Sequence, residues 1–198
     1  INIELACLRI NNFMERQRLR HEAIIKEQLK LAANVFNYSH DGILFSDADN
    51  NIIKSNDAFT KITGYLPDEA RGKNPRFLQS GKQSNSFYEA MWKDLLKYEH
   101  WDGELCNKHK DGHLFIIHTS ILIIKDAVGN VQNFLAIFSD ITLRKTHEEA
   151  LKKIAYFDEL TGLPNRTLLT DRMDQGIQQT LRHNNVMAFC YLDIDGFK

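Results

Sequence analysis

Residues 101–125 read WDGELCNKHKDGHLFIIHTSILIIK, and their pattern decides the fold. Two strand-like runs, Trp101–His109 and His113–Lys125, stand on either side of Asp111-Gly112. Asp-Gly between two such runs is a hairpin signal, because Gly takes positive φ without a Cβ clash. A third run, Val131–Asp140, follows the turn residues Val128-Gly129-Asn130. Upstream, Ile43–Ser46 and Ile52–Ser55 flank a polar turn, Asp47 to Asn51. Two helical pieces lie between the early and late strands. One is Asn56–Thr63, stopped by Gly64. The other is Asn85–Lys97, with Phe87, Met91, Leu95 and Leu96 on one face. Two strands, helices, then three strands make an α+β domain with an antiparallel sheet.

The whole chain has 198 residues, room for one domain or one and a half at about 100–200 residues each. Hydrophobic residues are 43%, charged residues 26%, and mean hydropathy is -0.39, a composition that forms a core. The net charge of -1 leaves no electrostatic footprint for nucleic acid or an anionic membrane. Cys7, Cys106 and Cys190 are too scattered for a disulfide framework or a cysteine metal site, and read as reduced thiols. No apolar run nears the ~18 residues of a membrane span. Phe115–Ile124 is interrupted by His118, Thr119 and Ser120. The chain begins at Ile1 and ends at Lys198 just after an apolar stretch, so a longer parent is expected, its membrane attachment left open.

The flanks differ in character. Residues 1–36 hold no Gly or Pro, and Ile25, Leu29, Ala32 and Phe36 share a helical face. That helix either packs on its own domain or enters a dimeric coiled coil. Leu143, His147, Ala150, Ile154 and Phe157 repeat at 4-3-4-3, the pattern of a linker helix or of a helix capping a neighbour. Asp158 to Arg166 is a loop, and Leu169, Met173, Ile177 and Leu181 mark a further helix. Val186–Leu192 reads as a buried strand. The expected division is a helix over 1–33, a sensor domain over 34–143, a linker helix over 144–157 and a last domain over 158–198.

The central region resembles the PAS sensor family. The resemblance rests on Ser39-x-Asp41-Gly42-Ile43, Asn56-x-Ala58-Phe59 and Thr63-Gly64-Tyr65. It continues through Gly72 to Gly81, Phe87-Tyr88-x-x-Met91-Trp92, Trp101-x-Gly103-Glu104-x-x-Asn107-x-x-Lys110-Asp111-Gly112 and the closing Asp140-Ile141-Thr142. It implies a five-stranded antiparallel sheet with flanking helices. It also implies that Asp140 and Thr142 pass a signal from the core to the output helix. Asn74 to Gln79 is similar to the flavin loop of LOV photoreceptors. Pro75 stands where their reactive cysteine would be, which excludes a cysteinyl–flavin adduct, and their late-strand glutamine is replaced by Phe138. Asn74, Trp101 and Asn107 are the expected pocket residues. Trp101 and Asn107 match positions used in redox-sensing PAS domains that bind FAD; otherwise they are a core or sheet-face aromatic and a strand hydrogen-bonder. Haem needs an axial ligand such as His, and the 85–97 helix, the usual source in PAS haem sensors, has none. His100, His109, His113 and His118 lie on the strand side.

Asp193-Ile194-Asp195 follows the last apolar run. Residues i and i+2 on a strand share a face, so the pair is either a surface turn or a seat for a hard cation such as Mg²⁺. With Asp158-Glu159-Leu160-Thr161-Gly162-Leu163-Pro164-Asn165-Arg166 upstream and Gly196-Phe197-Lys198 after it, the segment resembles the start of a GGDEF domain, an α/β diguanylate cyclase fold. The family condenses two GTP to cyclic di-GMP. The resemblance places a Mg²⁺ ligand at Asp193, a second at the Ile194 backbone carbonyl, and GTP phosphate contacts at Gly196, Phe197 and Lys198. The family's signature motif would lie past Lys198, so the chain by itself is expected to be inactive. The expected function is the sensory part of a bacterial cyclic di-GMP signalling protein. It would act as a homodimer through its helical linkers, with Ile154 in the coupling seam, in the cytoplasm where GTP is. The alternatives are a degenerate GTP-sensing or docking module beside an EAL phosphodiesterase, and a ligand-free PAS dimerisation module.

Overall fold

In a computed structural model, residues 3–183 and 185–190 are described, and they fall into two compact units, Ile1–Thr142 and Leu143–Lys198. The first opens with helix α1, Ile3–Tyr38. Strands β1 (Gly42–Asp47) and β2 (Ile52–Ser55) follow as a hairpin, then α2 (Asp57–Thr63), the single turn α3 (Pro67–Ala70) and a 3-10 turn at Pro75–Leu78. Helix α4 (Asn85–Tyr98) leads into β3 (His100–Lys108), β4 (Leu114–Lys125) and β5 (Val131–Asp140). The five strands form one antiparallel sheet in the order β2-β1-β5-β4-β3.

The residues at the element ends explain where each begins and stops. Asn56 caps α2, its Oδ1 accepting from the Phe59 N–H at 3.0 Å. Gly64 ends it in the left-handed region at φ 78, donating to the Thr60 carbonyl at 2.8 Å. A Cβ on Gly64 would lie 2.5 Å from the His109 ring, so glycine is required twice over. Ser84 caps α4 through Phe87 N–H. The β3–β4 hairpin closes where Asp-Gly predicts: His109 N–H donates to His113 O, and Gly112 sits at φ 102.

Alternating residues on one face of the sheet form the core with the helices: Leu44, Ile52, Phe59, Ala70, Leu78, Phe115, Ile117 and Phe138 are buried together. Among the described residues, helix α1 is tied to this core near its end. Phe36 is half-buried against Phe45, and Lys54 Nζ lies 4.6 Å from its ring centroid. Of the expected apolar face, Ile25, Leu29 and Ala32 are exposed and only Phe36 packs on the domain.

The second unit holds α5 (Thr142–Tyr156, its first residue belonging to the first unit) and α6 (Arg166–His183). The loop between them is closed by polar side chains. Asp158 accepts from Thr161 N–H and Oγ1 at 2.9 and 2.7 Å, which holds its carboxyl below the usual range. Asn165 caps α6 through Leu168 N–H and donates to Ala155 O. Of the expected strand Val186–Leu192, residues 186–190 are described and carry no strand pairing. A strand needs a neighbouring ladder, and among the described residues this unit offers only the isolated Phe157–Pro164 bridge. No described helix is long and apolar enough to cross a membrane.

Candidate functional site

The sheet's inner face and the segment facing it enclose a cavity of about 390 Å³, within the usual size of small-ligand sites. Strand periodicity builds one wall: every second residue points in, giving Leu44 and Ser46, Leu105 and Asn107, Ile117, Thr119 and Ile121, and Phe134, Ala136 and Phe138. The other wall is the 3-10 turn with its flanks, Asn74 to Gln79, and α4 through Asn85, Tyr88 and Trp92. Pro75 at the first position of the turn fixes the backbone, and Asn74 caps it, Oδ1 accepting from Arg76 N–H at 3.1 Å. An isolated bridge between Gln79 and Asn107 closes this wall onto β3.

The lining is apolar with a few amides. Ser46 is buried and donates to Asn50 Oδ1 at 2.8 Å, and Asn50 holds a positive φ of 59. Thr119 Oγ1 donates to Ile137 O at 3.2 Å. Asn107 is 6% exposed, and among the described residues its side-chain amide makes no hydrogen bond to protein. An amide held in an apolar wall without a partner favours a ligand that brings both a donor and an acceptor. Burial pushes the Tyr88 phenol up, so it is neutral near pH 7.

Of the expected pocket residues, Asn74 and Asn107 line this cavity and Trp101 does not. Trp101 stacks its indole over Gly103, where a Cβ would sit 2.5 Å away, and meets Phe87 edge-on at 6.3 Å. Trp101 is in phase with Leu105 and Asn107 on β3 but lies nearer the start of the strand, beyond the cavity, so spacing alone does not separate the two cases. Pro75 does line the cavity, and neither Cys106 nor Cys190 does. Sequence reasoning missed Gln79, Asn85 and Thr119 as lining groups; inward alternation on β4 was the available signal for Thr119.

Beside the cavity lies the Asp140–Thr142 junction. Asp140 Oδ1 accepts from Thr142 N–H at 2.8 Å and from its hydroxyl at 2.5 Å. Thr142 Oγ1 accepts from Ile116 N–H at 2.8 Å. Ile154, on α5, is exposed. Asp193, Ile194, Gly196, Phe197 and Lys198 lie outside the described residues.

Comparison with known proteins bears on both units. The PAS domain model matches residues 40–143, and the diguanylate cyclase GGDEF domain model matches residues 155–198. A nitrogen fixation regulatory protein of Klebsiella oxytoca is 31% identical over 150 residues, 75% of this chain and 30% of that protein. A blue-light-activated histidine kinase of Brucella canis is 32% identical over 105 residues, 53% of this chain and 22% of that protein. The chain thus spans less than a third of the curated relatives it matches. The PAS domain structure of a Colwellia psychrerythraea protein superposes with a TM-score of 0.55 at 28% identity, over 59% of this chain and 98% of that one.

Proposed function

From a chain that belongs to the PAS domain family at 40–143 and continues into a partial GGDEF domain at 155–198, we propose a sensor that controls cyclic di-GMP synthesis. One observation carries the reading. The strand that supplies Phe134, Ala136 and Phe138 to the cavity wall ends at Asp140, and Asp140 and Thr142 begin α5. A change in the cavity's contents therefore strains the strand that holds the output helix. Thr142 also accepts from Ile116, the neighbour of cavity-lining Ile117, so a second strand leads to the same junction.

The cavity's occupant in this reading is a flat heteroaromatic group, with flavin as the candidate. The fit rests on the unpartnered Asn107 amide, the Asn74 and Gln79 amides opposite it, and the apolar faces of Leu44, Ile117 and Phe134. A bound flavin supplies redox or light-dependent chemistry. The chain's own residues bind and orient it: amides on the ring edge, aliphatic and aromatic side chains on its faces. With Pro75 in the wall, no thiol is placed there to form an adduct. In the last domain, Asp193 and the Ile194 carbonyl would hold Mg²⁺, and Gly196, Phe197 and Lys198 the phosphates of GTP, a charge-neutralising role typical of phosphoryl transfer. Exposed apolar residues on α1 and α5, among them Ile25, Leu29, Leu151 and Ile154, support a homodimer whose geometry sets the rate. A GTP-dependent reaction places the protein in the cytoplasm.

The test uses the full-length protein that contains this chain. After reconstitution with FAD and gel filtration, cyclic di-GMP formation from GTP is measured with the flavin oxidised and reduced. Retained flavin and a rate that differs between the two states support the reading. Cyclic di-GMP formation without retained flavin overturns the ligand, and no formation in either state overturns the output.

A further inference from the structure

We propose that the tip of the β3–β4 hairpin is a binding site for a divalent transition-metal ion, held by His109, Asp111 and His113. The ligand atoms of these three side chains lie within 4.8 Å of one another, the one such group among the described residues. His109 Nδ1 is 2.9 Å and His113 Nδ1 is 2.6 Å from the same oxygen, Asp111 Oδ1. A tetrahedral ion at about 2.0–2.1 Å from each donor sets donors roughly 3.3 Å apart, so each imidazole nitrogen need only open from Asp111 Oδ1 by less than an ångström, and the whole set already lies within 4.8 Å.

The donors are fixed before any ion arrives. The two imidazoles stack, with centroids 4.4 Å apart and planes 20° from parallel. Both rings also meet Phe115, at 6.3 and 6.4 Å, edge-on. The His109 ring occupies the space left by the missing Cβ of Gly64. Asp111 Oδ1 also accepts from His113 N–H at 3.1 Å, which orients the carboxylate. The neighbouring ammonium of Lys110 does not compete for that carboxylate, because it is bound to Glu69 at 2.6 and 2.7 Å. Lys110 N–H donates to Thr63 O, so the tip is docked on the carbonyl end of α2, where positive charge is favoured.

Donor chemistry selects the ion. Two imidazole nitrogens and one carboxylate oxygen suit Zn²⁺, Ni²⁺ or Cu²⁺, whereas Mg²⁺ and Ca²⁺ require more oxygen ligands than one. Asp111 and His113 are exposed, so water completes the coordination and the ion exchanges with solvent. Bound metal would clamp the hairpin tip on α2, on a side of the domain that contributes nothing to the ligand cavity.

The test titrates ZnCl₂, and separately CoCl₂, into the full chain and into the His113→Ala and Asp111→Asn variants. Isothermal calorimetry reads the affinity, and visible absorption of Co²⁺ reads the ligands. The expected result is one ion per chain, no sulfur-to-cobalt charge-transfer band, and at least about tenfold weaker binding in both variants. Asp111→Asn keeps an acceptor for His113 N–H, so it retains the turn if His113→Ala disturbs it. No binding to the unaltered chain, unaltered affinity in either variant, or a thiolate band from a cysteine each overturns the proposal.

Discussion

The side-chain amide of Asn56 donates to the backbone carbonyl of Phe36 at 3.0 Å, so the residue that starts α2 also holds the last turns of α1. The same amide donates to Asp41 O at 2.9 Å, and its Oδ1 accepts from Ile43 N–H at 2.9 Å as well as from Phe59 N–H. Asn56 is 1% exposed. Three elements, α1, β1 and α2, and the loop between α1 and β1 therefore meet at one buried side chain, with every donor and acceptor of its amide used. The N-terminal helix, exposed along most of its described length, is registered to the sensor core at this point.

Asn56→Ala removes four hydrogen bonds and leaves buried backbone groups of β1 and α2 without partners. The expected loss is about 3 kcal/mol of unfolding free energy, above the roughly 1 kcal/mol of a cap alone. Asn56→Asp keeps the cap but replaces two donors with acceptors facing carbonyls, so it also destabilises. Urea unfolding of both variants checks this. A loss confined to the cap value in the alanine variant would show that Phe36 and Asp41 find other partners.

Asn107 gives a prediction whose two halves have opposite signs. The residue is buried and its amide makes no hydrogen bond to the described protein, so Asn107→Leu costs no internal hydrogen bond and leaves stability unchanged or raised. The same change is expected to weaken flavin binding by at least about tenfold, roughly 1.4 kcal/mol, because it deletes a ring-edge hydrogen bond. Fluorescence titration with FAD and a thermal melt are read on the same sample. Unchanged affinity sinks the role given to Asn107.

Much of the fold is legible where local chemistry and tertiary structure agree. Val131–Asp140 and Ile52–Ser55 are strands at the bounds their apolar runs imply, and Gly64 stops α2 because only glycine fits its φ and the His109 ring. The single turn α3 and the 3-10 turn at Pro75–Leu78 are too short to show a period, so the sequence does not announce them. Trp101 and Asn107 look alike as motif positions, and only the path of β3 puts one in the cavity and the other against Phe87. His109, Asp111 and His113 were readable as an i, i+2, i+4 set, but their convergence needs the hairpin turn that folds the spacing back on itself.

Glu69 provides a pH prediction. The hydrogen bond from Lys110 Nζ, then that from Leu66 N–H, lowers its carboxyl from the ordinary value of 4.5. A folded-state value below the unfolded one contributes stability above the unfolded value. That contribution is lost as pH falls through the folded value. Both side chains are exposed enough that the effect on stability is small. Lys110→Met is expected to move the Glu69 midpoint up toward 4.5, read by NMR of the carboxyl carbon; an unmoved midpoint would assign the shift to the backbone bond instead.

Gly64→Ala tests the joint between α2 and the hairpin tip. Alanine at φ 78 is strained, and its Cβ would meet the His109 ring at 2.5 Å. Destabilisation of about 1–2 kcal/mol is expected from the backbone alone, more if the ring cannot turn aside. The double variant Gly64→Ala/His109→Ala separates the two contributions by a thermodynamic cycle. Additive losses would mean that the ring does move freely.

The last prediction concerns Thr142, whose hydroxyl accepts from Ile116 N–H and donates to Asp140. Thr142→Val keeps the shape and removes both bonds, so the start of α5 loses its side-chain anchor to β4 while the Ile141 N–H bond to Ile116 O and the sheet ladder stay intact. The fold should lose only about 1–2 kcal/mol, the scale of a hydrogen bond with one partner left unpaired. Hydrogen exchange of the first turn of α5 should rise several-fold, while that of β5 stays unchanged, because local opening is governed by local bonds. In the full-length protein, the response of cyclic di-GMP synthesis to flavin redox state should then fall while basal synthesis persists. If the response survives without the Thr142 hydroxyl, the signal leaves the sensor by another route, and the exposed seam of α1 below Asn56 becomes the element to test.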